Sequence, residues 1–325
     1  MNHPTRLLAG MFFASVISVT GVPEVAGATY PTKPVRLIVP FAPGGPSDII
    51  GRLVGQKLGE SLGQSVITDN RGAAGGILGF ELAARAAPDG YTLLLGSAGG
   101  LTMNPSLYLK LPYDPQRDYL PVTQLTTGPN LMCVHPAVAA KSVQDFIALA
   151  KAKPGQINFA SAGTGNRLAA EFFRIAAGIH IVNVPYKGTG QAIGDLIGGQ
   201  VQMMMINPVA AIPQVRAGKL RGLGVTGVKR ASILPDMPTI AESGLPGFEY
   251  TSWHAILAPA NTPAPIAKRL HADLVKVLGR PDVKERFASQ GLDTVGSTPE
   301  AFRIVIREDA LKYAKLIREV GIKPE

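Results

Sequence analysis

A single cysteine stands in 325 residues, so no intrachain disulfide can staple the fold. A chain of this length can bury enough apolar surface to do without one. Cys133 sits in the apolar run from Asn130 to Val134 and reads as a small core residue. No cysteine follows the N-terminal apolar segment, which excludes a lipid anchor at its end. Aromatic residues make up only 6%, and the lysines and arginines behind the net charge of +9 are scattered rather than gathered into a stripe. That pattern argues against a nucleic-acid partner and for a solvated basic surface whose field favours anionic ligands. The five histidines, His3, His135, His180, His254 and His271, lie far apart, with no H-x-x-x-H pair and no acidic cluster at ligand spacing. Neither a metal nor a cofactor is expected. Low-complexity tracts and runs of five like charges are also missing, so the chain should fold along its whole mature length.

The first 28 residues differ from the rest: Arg6 precedes an apolar run from Leu7 to Val19, and Ala26-Gly27-Ala28 stands before a polar Thr29. This is the pattern of a secretory signal cleaved after Ala28. Its apolar stretch is shorter than the roughly 20 residues that cross a bilayer. The mature protein is expected to be soluble and periplasmic, and it stays basic, because the signal removes only Arg6 and Glu24.

Beyond the signal, apolar β-prone runs alternate with helical periodicity. Val35–Val39, Ser65–Thr68 and Tyr91–Gly96 read as strands around helices over 47–62 and 76–87. A second series follows: strands over 156–160, 181–184, 201–206 and 220–226, with helices over 166–177 and 190–197. Such alternation implies parallel sheets with crossover helices in two lobes. Asn130–His135 and Ser252–Ala258 read as the crossings, placing lobe 1 at 29–134 and 253–325 and lobe 2 at 135–252. Thr298-Pro299-Glu300 opens a final helix with Phe302, Val305, Ile306, Tyr313, Leu316 and Ile317 as its buried stripe.

Glycine-rich turns end several of these strands. VPFAPGGPSD (Val39 to Asp48), NRGAAGG (Asn70 to Gly76) and SAGTGN (Ser161 to Asn166) are places where backbone can approach a ligand and helix N-termini can face an anion. Enzymatic motifs fail when checked: the elbow pattern around Ser97 has Leu95 where its first glycine belongs, and the dinucleotide pattern from Gly163 has Leu168 where its last glycine belongs. No phosphate loop is present. The residues point to binding rather than catalysis.

The series VPFAPGGPSD, NRGAAGG, PDGYTLL, NPSLYLKLPYDPQRDYLPV, KSVQDFIALAKAKPGQINFASAGTGN, VPYKGTG, GKLRGLGVT, LPDMPTIAESGLPGFE and APANTP resembles the Bug-type solute receptors of tripartite tricarboxylate transporters over essentially the whole mature chain. The resemblance implies an α/β, two-lobed periplasmic-binding-protein fold, a Venus flytrap of type II-like form with two interlobe crossing strands. It also implies a monomer that captures a small carboxylate and delivers it to integral-membrane permease subunits; a loaded receptor that signals to an extracytoplasmic sensor domain is the alternative. Carried over by position, the ligand-binding residues are Phe41, Gly44, Gly45, Ser97, Ser161, Gly163, Thr164, Gly165, Asn166, Ile206 and Asn207. Asp48, in the first helical turn, is assigned to ordering its loop.

Three positions depart from the family. Gly72-Ala73 replaces a usual Pro-Gly, Asn166 replaces a common serine, and Met204-Met205-Ile206-Asn207 stands where relatives often read M-F-D-N. With Ile206 in place of an aspartate, the ligand's distal end loses an acidic partner, which predicts a preference for carboxylates without an amine; the alternative is that Ile206 points into the core and Asn207, or an acid from elsewhere in the fold, meets the distal group.

Overall fold

The computed structural model describes Met1, residues 30–319 and residues 321–324. The expected signal, apart from Met1, lies outside the described residues. Contacts divide the chain into a unit of residues 1–30 and a compact unit from Pro31 to Glu325, and the elements of the fold belong to the second of these.

The first series begins with β1 (Val35–Val39), α1 (Pro46–Leu62), β2 (Val66–Asn70), α2 (Ile77–Ala84) and β3 (Thr92–Ser97). A π-helical turn at Gly99–Met103, the short α3 (Asn104–Leu107) and the long β4 (Tyr119–Pro129) come next. The second series runs β5 (Leu131–Val134), α4 (Val143–Ala152), β6 (Asn158–Ser161), α5 (Thr164–Ala176), β7 (Val182–Pro185), α6 (Thr189–Ile197), β8 (Met203–Ile206), α7 (Pro208–Arg216) and β9 (Arg221–Val225). The chain then returns through β10 (Thr251–Pro259) to α8 (Ala264–Gly279), α9 (Pro281–Ala288), β11 (Asp293–Thr294) and α10 (Pro299–Glu319).

Two sheets result, ordered β11-β4-β10-β3-β1-β2 and β7-β6-β8-β5-β9. They share one plan. Three parallel strands in the order second, first, third are followed by an antiparallel strand beside the crossing, β10 in one sheet and β5 in the other. The sheets are therefore mixed rather than wholly parallel, because the strand next to each crossing enters its sheet from the opposite end. Residues 131–134 hydrogen-bond in the second sheet, and β10 joins the first sheet from Thr251, so the chain passes between sheets beside the boundaries expected at 134/135 and 252/253.

Thr226 binds both crossings together. Its hydroxyl donates to the Tyr250 carbonyl (2.7 Å) and accepts from the Asn130 N–H (2.8 Å), while its own N–H and C=O bond Asn130 and Tyr250 in turn. Four bonds at a wholly buried threonine make a compact hinge.

The glycines along α1 answer to packing. A Cβ on Gly51 would lie 2.9 Å from Val39 Cγ2, whereas one on Gly55 would meet its neighbours at ordinary contact of 3.5 Å or more. In α2, a Cβ on Gly79 would press to 2.6 Å against the backbone of Pro40, which cannot yield. Cys133 is fully buried in the second lobe's core, and burial pushes its thiol up to about 12. Gly55→Ala should raise stability by up to about 1 kcal/mol through helix propensity, while Gly79→Ala should lower it by about 1–3 kcal/mol through overpacking. Denaturant midpoints of the two variants give the check; equal shifts of the same sign would contradict this packing.

Candidate functional site

In each sheet the strand order reverses beside the first strand, and the turns at the carboxyl ends of strands flanking such a point form a crevice. Here the crevices of the two sheets face each other. The cleft between them, about 820 Å3 with its open mouth, is walled by turns following β1, β3, β6, β7 and β8 and by both crossings.

Glycine opens three of the helices that point into it. Gly45, Gly163 and Gly188 are the N-caps of α1, α5 and α6, and none supplies a side-chain acceptor to the first turn. The first N–H groups of a helix have no partner within it, so these turns offer donors and the positive end of the helix dipole. Gly163 has φ 148°, a backbone region that side chains disfavour. α7 differs, because Asn207 Oδ1 caps it by accepting from Val209 N–H at 3.1 Å.

The β1–α1 loop is tied from within. Asp48 Oδ2 accepts from the Gly44 N–H (2.9 Å), Oδ1 pairs with Arg52 Nε (2.9 Å), and Asn70 Nδ2 donates to the Phe41 carbonyl (3.0 Å). Burial acts to raise the Asp48 pKa, but Arg52, the Gly44 amide and Asn70 outweigh it and hold the carboxyl below the usual range.

A buried chain of hydrogen bonds joins the lobes at the cleft's edge. Thr164 Oγ1 donates to Asn104 Oδ1 (2.7 Å), Asn104 Nδ2 donates to Tyr113 Oη (2.9 Å), and Tyr113 donates to the Gly100 carbonyl (2.7 Å). The Thr164 hydroxyl hydrogen is thus committed across the lobes, leaving the α5 N–H groups to face a ligand. Ser97 Oγ accepts from Gly100 N–H (3.4 Å) and keeps its own hydrogen to donate.

Of the expected ligand residues, Phe41, Gly45, Ser97, Gly163, Thr164, Gly165, Asn166 and Asn207 line the cleft, and Gly44, Ser161 and Ile206 do not. Gly44 spends its N–H on Asp48. Ser161 is buried at the end of β6, where its carbonyl accepts from Tyr186 N–H. Of the two readings of Ile206, its position favours the core: paired with Leu131 across the sheet, it lies wholly buried in the second lobe. All of β8 is buried, so alternation along it turns Ile206 away and leaves the next residue, Asn207, at the cleft.

Other lining residues went unread in the sequence: Ser47, Asn130, Lys187, Tyr250, Trp253 and His254. Lys187 could have been found, since VPYKGTG ends a strand in a glycine turn like the three that were chosen. It is exposed, at the mouth, and among the described residues it is the only charged side chain in the lining. Trp253 Nε1 donates to Asp309 Oδ2 (2.7 Å), and its ring meets Phe302 edge-on. His254 Nε2 bonds Ser47 Oγ (3.0 Å), and burial drives its pKa down to about 4, keeping the imidazole neutral. Among the described residues, no aspartate or glutamate lines the cleft. The expected disfavour for ligand amines therefore rests on the whole lining rather than on Ile206.

Two facing α/β lobes with helix N-termini turned into the cleft between them define a solute-binding receptor. The chain belongs to the family of tripartite tricarboxylate transporter receptors, whose model matches residues 50–322. It is 37% identical to protein BugT of Bordetella pertussis over 325 residues, covering 98% of both chains. Among solved structures it resembles the periplasmic binding protein BugD (33% identity, TM-score 0.88, 91% of this chain and 100% of that one). A protein of R. palustris solved with adipate is similar at 33% identity and TM-score 0.89, with the same coverage.

Two outcomes test this geometry. His254 is held neutral with a lowered pKa, so the unfolded chain binds the extra proton. Its contribution is full above about pH 6.5 and fades as pH falls toward 4, removing up to about 3 kcal/mol. Subtracting the stability profile of His254→Gln from that of the wild type should isolate this slope; parallel profiles would contradict it. A Cβ on Gly165 would stand 2.5 Å from Tyr250 Oη, inside the cleft wall. Gly165→Val should therefore lower stability by about 1–3 kcal/mol through overpacking and, by shifting the wall at Tyr250, weaken ligand affinity by more than about tenfold by calorimetry on the folded variant. Unchanged affinity would take Gly165 out of the site.

Proposed function

We propose that the chain is a periplasmic receptor that captures a small carboxylate between its lobes and delivers it to a membrane permease. The observation that carries this reading is the convergence, from both lobes, of glycine-capped helix N-termini on a cleft whose one charged side chain among the described residues is a lysine. One carboxylate group sits between the turns at Gly45 and at Gly163–Asn166, accepting from backbone N–H groups and from Ser97. Asp48 holds the first turn in shape without touching the ligand. A second acidic group, where the ligand has one, extends toward Lys187.

Binding from both lobes couples capture to closure, because each half of the donor set belongs to a different sheet. The hinge at Thr226 and the Thr164–Asn104 bond give that motion a pivot and a stop. Family membership supports the permease as the recipient, and the similarity to a protein solved with adipate supports the ligand class.

A panel of mono-, di- and tricarboxylates tests the reading by thermal shift. An acid present at 100 times its Kd should stabilise the protein by about 2.7 kcal/mol, raising the melting temperature by several degrees. Aspartate should bind at least about tenfold more weakly than succinate, since an ammonium would find no carboxylate in the cleft. A folded protein that responds to no acid would refute the capture of carboxylates.

A further inference from the structure

Among the described residues four tyrosines are buried: Tyr113, Tyr119, Tyr250 and Tyr313. Three of them donate the hydroxyl hydrogen to a backbone carbonyl, Tyr113 to Gly100 (2.7 Å), Tyr119 to Phe80 (2.6 Å) and Tyr313 to Thr251 (3.3 Å). A buried phenol ordinarily finds such a partner. Tyr250, 1% exposed, is the exception, because among the described residues its hydroxyl has no hydrogen-bond partner. It is also the only one of the four that lines the cleft.

The side chain is fixed in place. The Tyr250 N–H donates to the Thr226 carbonyl (2.8 Å), its own carbonyl accepts from the Thr226 hydroxyl (2.7 Å), and its ring packs against Tyr313 with 6.0 Å between centroids. The hydroxyl oxygen stands 2.5 Å from where a Cβ on Gly165 would be, so it rests on the first turn of α5, against the second residue of that helix. The N–H of Gly165 lies ahead of the bond from Arg167 N–H to the Gly163 carbonyl and has no acceptor within the helix. Burial raises the phenol's pKa above its ordinary value, so the hydrogen stays on the oxygen. Two donors of different origin, a phenol and a helix N–H, therefore meet at one residue of the cleft wall.

We propose that the Tyr250 hydroxyl donates to the ligand's carboxylate where it sits on the α5 turn; this rests on the carboxylate reading and adds a side-chain contact to it. An anionic oxygen has lone pairs for the phenol and the N–H together, whereas an ammonium has none to offer and an apolar end leaves both donors unmet. The contact also bonds the ligand to a crossing, since Thr226 ties Tyr250 to Asn130. A water that holds the hydroxyl hydrogen in the loaded protein is the rival account.

Tyr250→Phe tests the contact, because it removes one oxygen and keeps the ring against Tyr313. Calorimetry with acetate, succinate, adipate, citrate and benzoate shows which acids bind the wild type, and the same acids are titrated into the variant. Each acid that binds the wild type should bind Tyr250→Phe about tenfold or more weakly, as expected of a hydrogen bond to a charged group. The denaturant midpoint of the ligand-free variant should stay at or above the wild-type value, since the hydroxyl lost has no protein partner; a purely structural role would lower it. Affinities within about twofold of the wild type would overturn the contact, give the hydroxyl to water and leave the carboxylate reading standing. Tyr250→Met is measured in parallel and carries the test if Tyr250→Phe does not fold. A loss seen in Tyr250→Met but not in a folded Tyr250→Phe would belong to ring packing and would also overturn the contact. If none of these acids binds the folded wild type, the carboxylate reading falls and the Tyr250 contact falls with it.

Discussion

Helices that begin on glycine leave their first N–H groups without a side-chain acceptor, and that deficit organises the molecule. α1, α5 and α6 all begin this way, at carboxyl edges of two different sheets. Buried, such donors are costly unless something accepts from them. Turned toward a shared cleft, they become a positive seat that neither lobe completes alone. The shared strand plan follows the same logic: reversing the order beside the first strand in both sheets opens a crevice in each, and the crossings bring the two crevices face to face.

The crossings are tied to each other, because Thr226 bonds both chain passages at once. At the opposite side the Thr164–Asn104 contact extends through Tyr113 to a carbonyl of the π-helical turn, so contact between lobes is registered on a rigid first-lobe element. Buried side-chain networks of this type favour a single seating over several loose ones.

Much of this could be read from residue order. Turns at Gly44-Gly45 and Gly163–Asn166 announced themselves because glycine and proline punctuate strands, and the parallel strands and the helices read over 47–62, 76–87, 166–177 and 190–197 came within a few residues of their observed ends, while α3, α4, α7, α8 and α9 were not read. Ile206 shows where such reading leaves two answers open. β8 is buried on both faces, so its all-apolar run carries no alternation to tell which residue faces the cleft. His254 and Asn130 were missed for another reason: both reach the site through long-range pairing and a register slip, which leave no local pattern. Tyr250 is likewise placed by Thr226, a residue 24 positions away in sequence.

Trp253 is the sole tryptophan of the chain, and it stands on the cleft wall just past a crossing, with its indole N–H on the Asp309 carboxylate. Burial lifts that carboxyl above the ordinary range, although the indole hydrogen bond pulls the other way. The protein thereby carries its own optical probe. Emission from a lone indole is a single uncontaminated signal, sensitive to the dipoles and nearby charge around it. Lobe seating can be followed in time on the unlabelled molecule, with the opening and closing rates read separately from the binding equilibrium.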